Sequence, residues 1–210
     1  MCWSATADLA AGAGISAVGV ACVARVRDPR ALPLAALPLL LGVHQIVESV
    51  VWRSGGGGGP ATVAWAVMAL PLLAVWMPVG VWCAAPPSAR PRLLLPLAVG
   101  AATAAVLAYA LATGPVTAEI RGRTIGYAVD APFPAVLVAG YLLATVGSLL
   151  LSGDRRLETL GFLAGVGALG CWALWRTEFV STWCAVAAVC SVVLFGWARA
   201  RPDGARGALT

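Results

Sequence analysis

The stretch "GVHQIVESVVW" at residues 42–52 holds the chain's one histidine, His44, and a glutamate, Glu48, four residues further on. Four residues is close to one helical turn, so both side chains lie on one helix face. Gln45 and Ser49 widen that face into a polar wedge, with Trp52 and Arg53 at its end. An imidazole beside a carboxylate can move a proton, ligate a metal or hydrogen-bond across to a neighbouring helix. The surrounding residues are apolar. An ionisable group turned toward lipid costs about 2.5–3.5 kcal/mol at the centre of a membrane helix. The wedge is therefore expected to face other helices, as a functional site or as a pair that only fixes packing.

The elements that carry the wedge follow from composition. Of 210 residues, 60% are hydrophobic and 11% charged, with mean hydropathy +0.89, whereas a soluble domain averages about 25% charged residues. The apolar residues gather into seven runs, roughly 7–26, 31–52, 61–83, 92–113, 133–151, 157–175 and 179–198. Each is near the ~20 residues that cross a hydrocarbon core of ~30 Å. The expected fold is an all-α, polytopic membrane protein of seven transmembrane helices, a single domain over 1–200 with a cytoplasmic tail at 201–210. Its short connections favour antiparallel neighbours. Basic residues follow the first run (Arg25, Arg27, Arg30) rather than precede it, so that run reads as a retained span and not a signal peptide.

Arginine supplies all fourteen cationic side chains. With the N-terminus outside, Arg25, Arg27, Arg30, Arg90, Arg92, Arg155, Arg156, Arg199, Arg201 and Arg206 lie inside, and Arg53, Arg121, Arg123 and Arg176 outside. That bias favours an N-out, C-in orientation in the cytoplasmic membrane. It also explains the net charge of +5 without nucleic-acid binding. The partner implied is the lipid bilayer. Pro38, Pro71 and Pro78 fall inside spans, where they should kink the helix and free carbonyls that need partners. Gly12 with Ser16, and Gly161 with Gly165, have the small-xxx-small spacing of close helix contacts. Loop 54–60, "SGGGGGP", reads as a flexible hinge; no lysine follows it, so it is not a phosphate loop.

In this orientation His44 lies roughly 12 Å and Glu48 about 6 Å below the outer end of the second span. Several distant residues reach the same side. Cys2 stands at the N-terminus, and the segment "CWALWRTEFVSTWC" supplies Arg176, Glu178, Ser181, Trp183 and Cys184. The outer loop 114–132 adds Glu119, Arg121, Arg123, Tyr127 and Asp130. The candidate catalytic residues are His44, Glu48, Cys2 and Cys184, and the candidate ligand-binding residues are Gln45, Trp52, Arg176, Glu178 and Trp183. Three chemistries stay open for the cysteines. Cys2 and Cys184 can form a disulfide in an oxidising compartment. They can join His44 and Glu48 around a divalent transition metal such as zinc, which accepts sulfur, imidazole and carboxylate. A thiol can also act as a nucleophile with His44 as its base.

A single histidine is too few for the seven-helix metal hydrolases and histidine-ligated haem proteins, and a chain without lysine cannot form a retinal Schiff base. An enzyme acting on a small or membrane-associated substrate, a transporter or proton relay, and a ligand-binding or sensory module remain. The relay is the weaker, because no span carries a matching acid in its inner half.

The opening "MCWSATADLAAG", the helix "PLLLGVHQIVESVVW" and the late "FVSTWCAVAAVCS" together resemble a family of uncharacterised multi-pass bacterial membrane proteins. Its marks are an MCxSA start, an HQxxE helix and an SxWC segment. The resemblance runs through the chain in order, on motifs that cover about thirty residues. It implies a site built from Cys2, Ser4, His44, Gln45, Glu48, Ser181, Trp183 and Cys184. It also implies a histidine in the outer loop where this chain has Thr124, so a metal site that relies on it is incomplete here. No activity follows from it.

Overall fold

The computed structural model describes residues 4–174 and 179–200. Among them the chain forms α1 (Ala5–Arg25), α2 (Pro29–Arg53), α3 (Pro60–Ala84) and α4 (Arg90–Thr113). A hairpin of β1 (Val116–Arg121) and β2 (Thr124–Val129) follows. Then come α5 (Pro134–Leu150), α6 (Arg155–Leu174) and α7 (Phe179–Ala200). The helices begin where the sequence supplies start signals. Ser4 accepts a hydrogen bond from the Ala7 amide at 3.2 Å, and prolines open α2 to α5, where a missing amide hydrogen is harmless.

Helices α1 to α4 are each long and apolar enough to cross a membrane, while α5 is apolar but shorter. The helical segments coincide closely with the seven apolar runs. The all-α expectation needs one amendment, because loop 114–132 is an antiparallel hairpin. Its turn places Gly122 at φ +63°, the first central position that a tight hairpin turn reserves for glycine. Val116, Ala118 and Ile125 point from it into the protein and are buried.

Loop 54–59 is the second amendment. The glycine run is not a hinge but a partner for the hairpin. Gly57 donates to the Ala118 carbonyl at 2.7 Å and accepts from the Ala118 amide at 3.0 Å. Gly55, Gly56 and Gly57 all have positive φ, and a Cβ on Gly56 would stand 2.5 Å from the Ala118 carbonyl oxygen. Backbone of this shape passing this close needs glycine. The Thr62 hydroxyl then ties the start of α3 to the Gly57 carbonyl at 2.9 Å.

Small residues bring helices together as their spacing predicts. A Cβ on Gly12 would meet the Gly42 carbonyl of α2 at 2.8 Å, and one on Gly42 would collide with Ser16. In α6, Gly161 lies against Leu149 of α5 (2.9 Å from an added Cβ) and Gly165 against Val146 (3.4 Å). Pro71 sits in a π-helical segment, Met68–Leu72, and α5 contains another, Leu143–Gly147. The Tyr141 hydroxyl of α5 donates to the Ala69 carbonyl at 2.6 Å. It gives this π-helical segment a hydrogen bond to a neighbouring helix.

Opposite the hairpin, the bundle is fastened by polar side chains. Trp197 donates its indole N–H to Asp154 at 3.0 Å, Arg156 reaches the Gly196 carbonyl at 2.9 Å, and Arg92 the Leu151 carbonyl at 2.7 Å. Beneath them a core of fully buried Leu34, Leu93, Leu157, Leu194 and Trp197 joins four of the helices.

Candidate functional site

Helix α2 delivers the wedge. His44, Gln45, Glu48 and Ser49 are each at most 2% exposed, so the polar face does turn into the bundle. Ser49 is engaged by its own helix, donating to the Ile46 carbonyl at 2.7 Å. That leaves His44, Gln45 and Glu48 to define the site.

The hairpin and α3 complete it. The His44 ring lies 4.9 Å from the Trp65 ring, tilted by 39°. Trp65 also stacks on Tyr127 of β2, with centroids 3.4 Å apart and planes 4° from parallel. The Tyr127 hydroxyl donates to Glu48 Oε1 at 3.4 Å, so the chain returns to α2. His44, Trp65, Tyr127 and Glu48 thus form a closed circuit in which the hairpin is the roof. One strand period sets this geometry: Ile125 and Tyr127 are two residues apart and descend from the same face of β2.

A second acid adjoins the circuit. Asp8 of α1 is fully buried and accepts the indole N–H of Trp52 at 2.8 Å. Trp52 was a candidate by sequence, and the structure pairs it with Asp8. Three buried polar atoms in this region make no hydrogen bond among the described residues: Gln45 Oε1, Trp65 Nε1 and Ser16 Oγ. A buried polar atom left without a bond costs about 1–3 kcal/mol. They are places where a ligand or water can bond.

His44 also faces in the other direction. It lines a cavity of about 110 Å³ bordered by five helices, with Leu41 of α2, Ala69 of α3, Thr145 of α5, Ala164 of α6 and Cys190 of α7 in its walls. Both π-helical segments border the cavity, through Ala69 and Thr145. His44 therefore touches both the polar circuit and the apolar cavity.

Of the sequence candidates, the structure brings His44, Gln45, Glu48 and Trp52 into one region. Cys2, Arg176 and Glu178 lie outside the described residues, as do the side chains of Ser181, Trp183 and Cys184. The described residues contain no group of three His, Cys, Asp or Glu side chains arranged to hold a metal ion. From the outer loop, Tyr127 joins the site, whereas Glu119 and Arg121 pair with each other on the surface at 2.7 Å.

Asp8 and Trp65 carried no role in the sequence reading. Asp8 had a usable signal, a carboxylate in the first turn of an apolar helix whose antiparallel partner ends in Trp52. Trp65 had none, since an aromatic in an apolar run is ordinary core. Tyr127 was legible through the alternation of Ile125 and Tyr127 beside a glycine turn.

A family model described as "Family of unknown function (DUF6629)" matches residues 1–208, and the chain belongs to this family. No curated protein and no solved structure matches it.

Proposed function

We propose that this chain is a seven-span protein of the cytoplasmic membrane, N-terminus outside, that binds a small ligand at His44 and Glu48 beneath the hairpin. The observation that carries the reading is the position of His44. One side of the residue belongs to a polar circuit closed by Tyr127, and the other lines an apolar cavity. A pair present only for packing would not need a cavity, two buried acids and a hairpin around it. The sequence supports the orientation, with ten arginines in the segments read as inner and four in those read as outer. In that orientation the hairpin and loop 54–59 lie outside, so a ligand arrives from the outer leaflet or the compartment beyond it. Cys2 and Cys184 belong to the rim of the same site.

Binding, rather than proton passage, fits the apolar half beyond His44, since the described residues of the cavity walls include no onward acid. The test is the molecule that accompanies the purified protein. Extraction and mass spectrometry should recover a small molecule from the wild type that His44→Gln loses, with the thermal midpoint little changed. Equal recovery from both proteins, with a midpoint lowered in the variant, would reduce the pair to a packing device. Stoichiometric zinc that disappears in Cys184→Ser would replace the binding reading with a metal centre.

A further inference from the structure

We infer that the start of α4 holds the phosphate of an anionic phospholipid at Arg90, with the acyl chains along the outward face of the same helix. This rests on α4 spanning the bilayer and is independent of the ligand at His44. The stretch "SARPRLLL" puts two arginines, Arg90 and Arg92, at the end of the bundle opposite the hairpin. Arg92 is engaged by the fold. It donates from Nε to the Leu151 carbonyl at 2.7 Å, and its Nη2 lies 2.7 Å from where a Cβ on Gly153 would stand.

Arg90 has no such contact. Its guanidinium carbon stands 5.2 Å from the centre of the Trp82 ring of α3, a cation–π placement that suits a tryptophan at the membrane interface. Arg90 Nε and Trp82 Nε1 are both buried and form no hydrogen bond among the described residues. Nor does an ion pair join Arg90 to a described acid. The sequence has no acidic residue between Glu48 and Glu119. At the same end Asp28 accepts from the Arg30 amide and Asp154 from the Trp197 indole. Arg90 also opens α4, where the helix dipole disfavours a cation. An anion completes a half-buried guanidinium left in this state, and the planar fork of arginine matches phosphate.

The rest of the helix supplies a place for the chains. Arg90, Leu94, Ala98, Ala101 and Ala105 recur every three or four residues and so share one face, and its four apolar members are exposed. From Leu94 to Ala105 that face runs roughly 16 Å, close to the ~15 Å of hydrocarbon in one leaflet. Three alanines keep it shallow, so a chain can lie against the helix. The lipid is anionic rather than zwitterionic, because a choline or ethanolamine group would bring another cation to a place without an acid.

The experiment is native mass spectrometry of the full chain in a mild detergent, titrated with dioleoyl phosphatidylglycerol. Wild type should retain the lipid, and Arg90→Gln should bind it about tenfold more weakly through loss of a charged contact. Arg92→Gln should bind it as wild type does while its thermal midpoint falls. Should Arg90→Gln not fold, Arg90→Lys keeps the charge without the fork and should bind about threefold more weakly. Dioleoyl phosphatidylcholine should bind wild type less tightly than phosphatidylglycerol does. Equal binding by wild type and the Arg90 variants, or of both lipids by wild type, overturns the site. A loss in Arg92→Gln as large as in Arg90→Gln reduces the effect to bulk charge and overturns the assignment to Arg90. Dihexanoyl phosphatidylglycerol, with chains too short to follow the helix face, should bind more weakly; binding equal to that of the dioleoyl lipid overturns the part played by that face.

Discussion

The two ends of the bundle use the same bond for different purposes. At the hairpin end Trp52 donates its indole N–H to Asp8 at 2.8 Å, and at the opposite end Trp197 donates to Asp154 at 3.0 Å. Asp154 is only half-buried, and its other oxygen accepts from the Arg156 amide at 2.9 Å, capping α6. The cluster around it ends in backbone carbonyls of Leu151 and Gly196. That is a fastening. Asp8, by contrast, is fully buried beside a region that includes Glu48, His44 and unbonded polar atoms of Gln45 and Trp65. Buried polar groups arranged this way are a poor means of adding stability. Their concentration at one end is what the proposed binding site rests on.

Variants can break or sharpen this contrast. The largest effect is expected from Tyr127→Ala, which removes the stack on Trp65 and the bond to Glu48. A loss of about 3–5 kcal/mol should be accompanied by rapid amide exchange across residues 116–129, while the far end stays protected. Asp154→Ala should cost about 1–3 kcal/mol through the lost cap and indole bond, without altering what His44 binds. Denaturation read alongside ligand recovery separates the two. Tyr127→Phe keeps the stack and deletes one hydroxyl, so about 1 kcal/mol and a measurable loss of ligand are expected. The smallest stability effect belongs to Glu48→Gln, within about 1 kcal/mol of wild type, because a neutral isostere relieves a buried charge. Its ligand should nevertheless be lost. If Glu48→Gln instead destabilised more than Asp154→Ala, the ends would have exchanged roles.

The parts legible in the sequence are those with a strong energetic signature. Apolar runs of spanning length identify the helices, and the cost of exposing Glu48 to lipid required its face to turn inward. Gly12 and Ser16 announced the α1–α2 contact because only small side chains allow it. What stayed hidden depends on backbone or on volume. The Gly57–Ala118 bridge uses main-chain atoms alone, so "SGGGGGP" looks the same as a loose linker. The cavity is a deficit of atoms among five helices, and no single residue encodes it. Trp65 illustrates a third limit, since its place in the circuit comes from contacts with both His44 and Tyr127.

The close approach of Gly12 to Gly42 also bears on how the protein is made. Asp8 and Glu48 would each be unwelcome alone in a nascent lipid environment, yet the helices that carry them are consecutive. Their contact surface is complete once the chain has reached Arg53, and the Asp8–Trp52 bond needs nothing synthesised later. α1 and α2 can therefore enter the bilayer as a zipped pair, with Asp8 bonded to Trp52 before α3 and the hairpin exist. The glycine contact, formed between consecutive helices, would then serve insertion as well as packing.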